Sequence, residues 1–182
     1  MSYANARVRR TWYDWPFGTE LKSGKNWSMF FGRLALGFLF LWGGYQKILT
    51  QLSGKTATAG FLSGPSVAGS PFAGFFNSLA GNGIAESLVV YGELLIGISL
   101  ILGVATRIGA IAGSLMMLLF TVAMWPIADT AGANPIVDYR VIYGLMFVMF
   151  FFITPGRFLG VDGILKEIQI VKNHPRLSWI LG

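Results

Sequence analysis

The chain contains no cysteine and a single histidine, His174. Without thiolates it can form no cysteine-ligated iron–sulfur cluster, no covalently attached c-type haem, no disulfide relay and no cysteine nucleophile. His174 lies beside Pro175 in a polar tail, where a solvated side chain is the simplest interpretation. We therefore expect this chain alone to bind no haem, iron–sulfur cluster or metal ion. Any electrons that it handles must be carried by a small molecule or by another chain.

Charged residues are also scarce. They make up 12% of the 182 residues, whereas ordinary soluble domains have about 25%. The mean hydropathy is +0.60 and 54% of the residues are hydrophobic. This composition predicts an integral membrane protein in contact with lipids. The length suits one domain of a few spanning helices, without room for a further soluble catalytic domain.

The positive charge of the chain is concentrated outside the apolar runs. The net charge is +6, and most of the cations precede the first run or follow the last. This distribution fits the positive-inside rule and implies no nucleic-acid partner. It predicts that both termini are cytosolic. The flanking cations are Arg7, Arg9, Arg10, Lys22, Lys25, Arg157, Lys166, Lys172 and Arg176.

Four apolar runs are candidates for membrane spans, because about 20 apolar residues match a hydrocarbon core of roughly 30 Å. The fold class predicted is all-α, an integral membrane four-helix bundle over residues 28–154. A cytosolic or interfacial tail precedes the bundle and a cytosolic amphipathic tail follows it. The outer loop is long, and we expect short interfacial or re-entrant helices there. The spans are 28–49, 86–104, 107–125 and 136–153, the tails 1–27 and 155–182, and the outer loop 50–85.

The first span carries an unusual polar stripe. At 100° per residue, Arg33, Gly37, Gly44 and Lys47 share one face. A charge in mid-membrane costs at least about 2.5 kcal/mol, and glycines allow close approach of a neighbouring helix. The stripe is therefore predicted to face protein. The alternative is that both charged side chains extend to the interfaces from the helix ends, and for Arg33 the sequence leaves this open.

The second span contains the most informative residue. Glu93 follows Glu86 by two helical turns, so it lies about 10 Å into the membrane if the helix begins near Glu86. Desolvation opposes a charged carboxylate there, so Glu93 must be paired with a cation or protonated. In the third span, Gly109 and Gly113 form a small-xxx-small pair, which predicts helix packing.

The predicted orientation places several ionisable residues at one depth near the outer side of the membrane. Tyrosines such as Tyr91 offer hydrogen-bonding groups at a similar depth. Three interpretations stay open. In the first, the cluster is a structural network in which Glu93 pairs with Lys47 or Arg140. In the second, it lines a pocket that binds a small anion or a quinone headgroup and moves protons. In the third, it belongs to a path for protons or ions. The ionisable residues are Lys47, Glu86, Glu93, Asp138 and Arg140.

Three motifs follow one another along the chain: Arg33, Gly37, Gly43, Gly44 and Lys47, then Glu93, Gly97, Leu100 and Gly103, then Thr106 and Arg107. Over residues 28–154 the order and spacing of these motifs resemble the DoxX/DoxD family. The resemblance implies a four-helix prokaryotic membrane protein. One branch, DoxD, is the membrane subunit of a thiosulfate:quinone oxidoreductase that works with a DoxA subunit. That enzyme oxidises thiosulfate to tetrathionate and passes the electrons to quinone.

Two hypotheses for the function follow from the resemblance and the charged cluster. In the first, the chain is the DoxD-like membrane subunit of a quinone-linked oxidoreductase, with quinone as cofactor and a DoxA-like partner. Glu93 then exchanges protons, while Lys47 and Arg107 supply positive charge as catalytic residues. The candidates for binding substrate are Arg33, Glu86, Tyr91, Asp138 and Arg140.

In the second hypothesis the chain is a non-catalytic accessory subunit. Its glycine-rich faces then pack against larger membrane proteins of a respiratory or redox complex. The absence of any resident redox ligand favours this hypothesis, and the clustered carboxylates favour the first. Both imply a multi-pass protein of an archaeal or bacterial plasma membrane.

Overall fold

A computed structural model of the protein describes residues 24–126, 137–174 and 179–181. All regular secondary structure in these ranges is helical, which confirms the all-α prediction. The helices are α1 (Gly24–Leu52), α2 (Ala59–Leu62), α3 (Pro65–Ala68), α4 (Ala73–Ser78), α5 (Gly83–Leu102), α6 (Thr106–Ala123), α7 (Tyr139–Ile153), a 3₁₀ turn (Pro155–Arg157), α8 (Val161–Leu165) and α9 (Gln169–Asn173).

Capping residues set the ends of the long helices. The Asn82 side chain accepts hydrogen bonds from the backbone N–H groups of Ile84 and Ala85, so α5 begins earlier than the predicted residue 86. It ends at Leu102 because Gly103 adopts a left-handed conformation, with φ of 66°. Asp138 caps α7 in the same way. The predicted start of that span, residue 136, lies outside the described residues.

The other two spans also differ slightly from the predicted boundaries. Helix α1 extends beyond 28–49 at both ends, because no proline interrupts the short segments that flank the apolar run. Helix α6 covers Thr106–Ala123 instead of 107–125. Most of the predicted tail 1–27 lies outside the described residues.

The four longest helices of the described residues pack in pairs. Helix α1 packs along α5, α6 packs along α7, and α5 contacts α6. Their buried faces form one apolar core that includes Leu36, Leu100, Phe147 and Phe150. The rings of Phe40 and Phe147 meet edge to face, with their centroids 5.0 Å apart. Helices α2 to α4 form a second, smaller cluster at the end of α6.

Glycines bring α1 and α5 into backbone contact. A Cβ atom on Gly44 would lie 2.6 Å from the backbone nitrogen of Leu94, and one on Gly37 would lie 2.9 Å from Cβ of Leu100. Both glycines are buried, as is Arg33. The prediction that this stripe of α1 faces protein is therefore confirmed, and Arg33 does not extend to an interface.

Among the described helices, α5 and α6 are long and apolar enough to cross a membrane. Helix α7 is apolar but has only 15 residues. Large apolar side chains on the outside of the bundle, such as Leu95 and Phe152, are mostly exposed. A protein that crosses a lipid bilayer tolerates such an apolar exterior, whereas a soluble one rarely does. The chain is therefore a helical membrane protein.

We expect Gly44→Ala to destabilise the fold by about 1–3 kcal/mol, because the added methyl group meets the α5 backbone, which cannot move aside locally. Gly32→Ala is the matched control in the same helix. A Cβ atom there would lie 3.9 Å from its nearest neighbours, and alanine is the better helix former. Thermal unfolding in detergent measures both variants. An unchanged Tm for Gly44→Ala would show that the two helices are not held this closely.

Candidate functional site

The described residues of the bundle form two buried polar centres, one at each end. We call the end covered by α2 to α4 the loop end, and the end covered by α8 the tail end. Helix α1 contributes Lys47 to the first and Arg33 to the second, about 21 Å apart at a rise of 1.5 Å per residue. The two cations that the sequence places on one stripe therefore serve different sites.

At the loop end, Lys47 and Glu93 form an ion pair. Lys47 Nζ donates to Glu93 Oε2 at 2.6 Å. The Glu93 side chain is 8% exposed and that of Lys47 is 29% exposed, so the pair connects the interior with the surface. A Cβ atom on Gly43 would lie 3.0 Å from Glu93 Oε2, so glycine leaves room for the carboxylate. Of the two partners that the sequence allows for Glu93, the structure selects Lys47.

A cavity of about 350 Å³ lies beside this ion pair. Most of its wall is apolar, including Phe40, Phe61 and Phe120. It is enclosed by the long helices and by α2 of the outer loop. Its polar lining residues are Lys47, Glu93, Thr58, Tyr139, Arg140 and Tyr143.

Arg140 is fixed in the wall of this cavity. It is buried and forms an ion pair with Asp138, which also accepts hydrogen bonds from the first N–H groups of α7. One guanidinium nitrogen contacts the sulfur of Met124. The charge of Arg140 is thus compensated by a carboxylate two residues away, and Asp138 acts chiefly as a helix cap.

Glu86 holds the outer loop against the bundle. Its carboxylate accepts hydrogen bonds from the N–H groups of Ala57 and Thr58, from the Thr58 hydroxyl and from Gln51 Nε2. Ala57 and Thr58 line the cavity, whereas Glu86 does not. Glu86 therefore positions a wall of the cavity. Tyr91, also predicted here, is half exposed and is not among the lining residues.

At the tail end, Arg33 is fully buried. Its Nη1 donates to the carbonyl of Pro155 at 3.1 Å, and its Nη2 donates to the carbonyl of Leu159 at 3.0 Å. Arg107 lies at the same end, where its Nη1 donates to the Trp179 carbonyl at 2.8 Å. The structure thus brings Lys47, Glu93 and Arg140 together and leaves Arg33 and Arg107 at the opposite end.

Sequence reasoning missed Asp162. This buried carboxylate accepts hydrogen bonds from Ala105 N at 2.7 Å, Thr106 N at 3.0 Å and Thr106 Oγ1 at 2.7 Å. Ala105 offers no side-chain cap of its own, so Asp162 caps α6 from a distant part of the chain. Burial raises the pKa of Asp162, while these hydrogen bonds and the charge of Arg33 lower it. The only signal in the sequence was a lone acid in a glycine-rich stretch.

The DoxX family model matches residues 28–125. The chain belongs to the DoxX family. This confirms the resemblance to DoxX, and the match includes Arg33, Lys47, Glu93 and Arg107, while Arg140 and Asp162 lie beyond it. Comparison with the curated proteins and with the solved structures gave no significant match. The DoxX residues at the loop end surround a cavity, whereas those at the tail end bind backbone.

We expect Asp162→Asn to lower the free energy of unfolding by about 1–3 kcal/mol, because one amide oxygen cannot replace two carboxylate oxygens that accept three hydrogen bonds. The control is Lys55→Gln, which removes a charge at an exposed position of the outer loop. Thermal unfolding in detergent compares the two variants. Equal Tm values for both would contradict the role of Asp162 as a distant cap.

Proposed function

We propose that this DoxX protein is the membrane subunit of a quinone-linked oxidoreductase, similar to the DoxD branch, and that its loop-end cavity holds the quinone headgroup. The observation that carries the proposal is the ion pair of Lys47 and Glu93 at the edge of an otherwise apolar cavity. A polar pair in an apolar site suits a ligand with an apolar ring and polar oxygen atoms.

The cavity residues fit such a ligand. A volume of about 350 Å³ lies within the usual range of small-molecule sites, roughly 300–1,000 Å³. The aromatic rings of Phe40, Phe61 and Phe120 offer an apolar surface to a flat ring, and Lys47 and Tyr143 carry donor groups for carbonyl oxygens. When bound, a quinone takes up two electrons and two protons to become a quinol.

The chain's own residues supply the protons in this proposal. The Lys47 ammonium group donates a proton to a bound oxygen atom, and Glu93 stabilises and orients the ammonium at 2.6 Å. Because Lys47 is partly exposed, it can be protonated again from water. Arg140, held in place by its ion pair with Asp138, offers guanidinium N–H donors in the wall where negative charge develops.

The electrons must come from outside this chain, which has no cysteine and only one histidine. For a DoxD-like enzyme the donor is thiosulfate: two thiosulfate ions lose two electrons and join through a new S–S bond to form tetrathionate. A DoxA-like subunit is the proposed partner for this step. We further propose that α1, α5, α6 and α7 are the four spans of a prokaryotic plasma-membrane protein with both termini in the cytosol.

Glu93→Gln tests the proposal. It removes the negative charge that keeps Lys47 oriented, so we expect thiosulfate-dependent quinol formation in native membranes to fall about 100-fold. Binding of a quinone analogue, followed by tryptophan fluorescence of the purified protein, should persist. Lys55→Gln is the matched control, because Lys55 is exposed in the outer loop and does not line the cavity.

Loss of folding in Glu93→Gln, shown by a low Tm, would instead make the ion pair a structural network between α1 and α5. The accessory hypothesis would then stand. Isolation of the native assembly in mild detergent, with identification of its subunits by mass spectrometry, separates the two. Large haem- or metal-bearing subunits in fixed ratio would support an accessory role, and a small complex with a DoxA-like partner would support the enzyme.

A further inference from the structure

A second apolar groove of about 710 Å³ runs along the outside of the bundle between α6 and α7. Ile111, Leu115 and Leu118 line it from α6, and Leu145 and Val148 line it from α7. All five side chains are exposed. At a rise of 1.5 Å per residue, the groove extends about 15 Å along residues 111–121 of α6 and about 18 Å along residues 140–152 of α7. One leaflet of a hydrocarbon core of roughly 30 Å is about 15 Å deep, so the groove is long enough for an acyl chain.

The groove has a cationic tail end. Arg107 lies against Phe151 and Trp179, two residues that line the groove, with its guanidinium carbon 5.6 Å and 5.3 Å from their ring centres. Its Nε and Nη1 donate to the carbonyl oxygens of these same residues. Carbonyl oxygens hold the guanidinium in place but do not neutralise its charge. Tryptophan is enriched at the level of lipid headgroups, which suits this end of the groove.

Lys166 is the C-cap residue of α8, the helix that covers the tail end of the bundle. Burial lowers the pKa of Lys166, and the positive charges of Arg157 and Arg107 lower it further, partly offset by Asp162. The cations therefore repel one another at this end of the molecule. A bound anion would relieve this repulsion.

We propose that the groove binds one anionic phospholipid, whose phosphate contacts Arg107 and Lys166 and whose acyl chain lies along α6 and α7. The apolar walls match an acyl chain in length and chemistry, and the cations match a phosphate in charge. Met117 and Arg140 line both this groove and the loop-end cavity, and Arg107 lies at the opposite end of the groove, beside Trp179.

The test uses the purified full chain in detergent, with phosphatidylglycerol and phosphatidylcholine of identical acyl chains. Native mass spectrometry should show one phosphatidylglycerol retained per chain, and a Tm increase larger than that with phosphatidylcholine. Lys166→Gln should weaken phosphatidylglycerol binding about fivefold, the effect expected of one basic residue near an anionic headgroup. It should leave phosphatidylcholine binding unchanged.

Gly144→Leu probes the acyl part of the site. Gly144 lines the groove, and a Cβ atom there makes an ordinary contact of 3.5 Å with Met117, so the variant should fold and fill the groove. We expect both lipids to bind more weakly. Lys55→Gln, which removes a distant cation, should change neither.

Several results would overturn the proposal. Equal binding of both lipids, or unchanged phosphatidylglycerol binding in Lys166→Gln, would remove the role of the cations. Unchanged binding in Gly144→Leu would place the lipid elsewhere. Inorganic phosphate that stabilises the protein as much as phosphatidylglycerol would make this a site for a free anion. Cross-linking of two copies through the groove would make it a protein interface.

Discussion

The contact between the backbones of α1 and α5 is the constraint on which the rest of the structure depends. It requires glycine at Gly37, Gly44 and Gly97, since a Cβ atom at any of them would overlap the neighbouring helix. With the helices this close, Lys47 meets Glu93 directly, and Gly43 leaves space for the carboxylate. A wider separation would leave a charge on each helix in an apolar core without its partner, which is strongly unfavourable.

The two ends of the bundle compensate buried charge differently. At the loop end a carboxylate and an ammonium group neutralise each other beside a cavity. At the tail end Arg33 donates to backbone carbonyls of the segment after α7, and Asp162 of that segment caps α6. The segment after α7 is therefore an integral part of the fold, because it binds both terminal guanidinium nitrogens of a buried arginine and caps a helix end that the four long helices leave without partners.

This division changes how the DoxX motif is understood. Lys47 and Glu93 border the cavity, whereas Arg33 and Gly103 lie at the tail end, where a Cβ atom on Gly103 would meet the Arg33 guanidinium. Part of the motif thus maintains the scaffold and part forms the candidate site. Outside the motif, Glu86 holds the outer loop in place as a wall of the cavity, so the loop and the bundle form the site together.

The sequence by itself determined the helical membrane class, the DoxX family and the face of α1 that turns inward, because hydrophobic periodicity and small residues act over one or two helical turns. It indicated that Glu93 needs a partner but did not choose between Lys47 and Arg140. Only the tertiary structure showed that Glu93 pairs with Lys47 and that Arg107 lies at the tail end. It also revealed Asp162, whose partner Thr106 is 56 residues away in the sequence. Such pairings depend on the relative offset of the packed helices and on the path of the segments that connect them. No local sequence pattern encodes either of these.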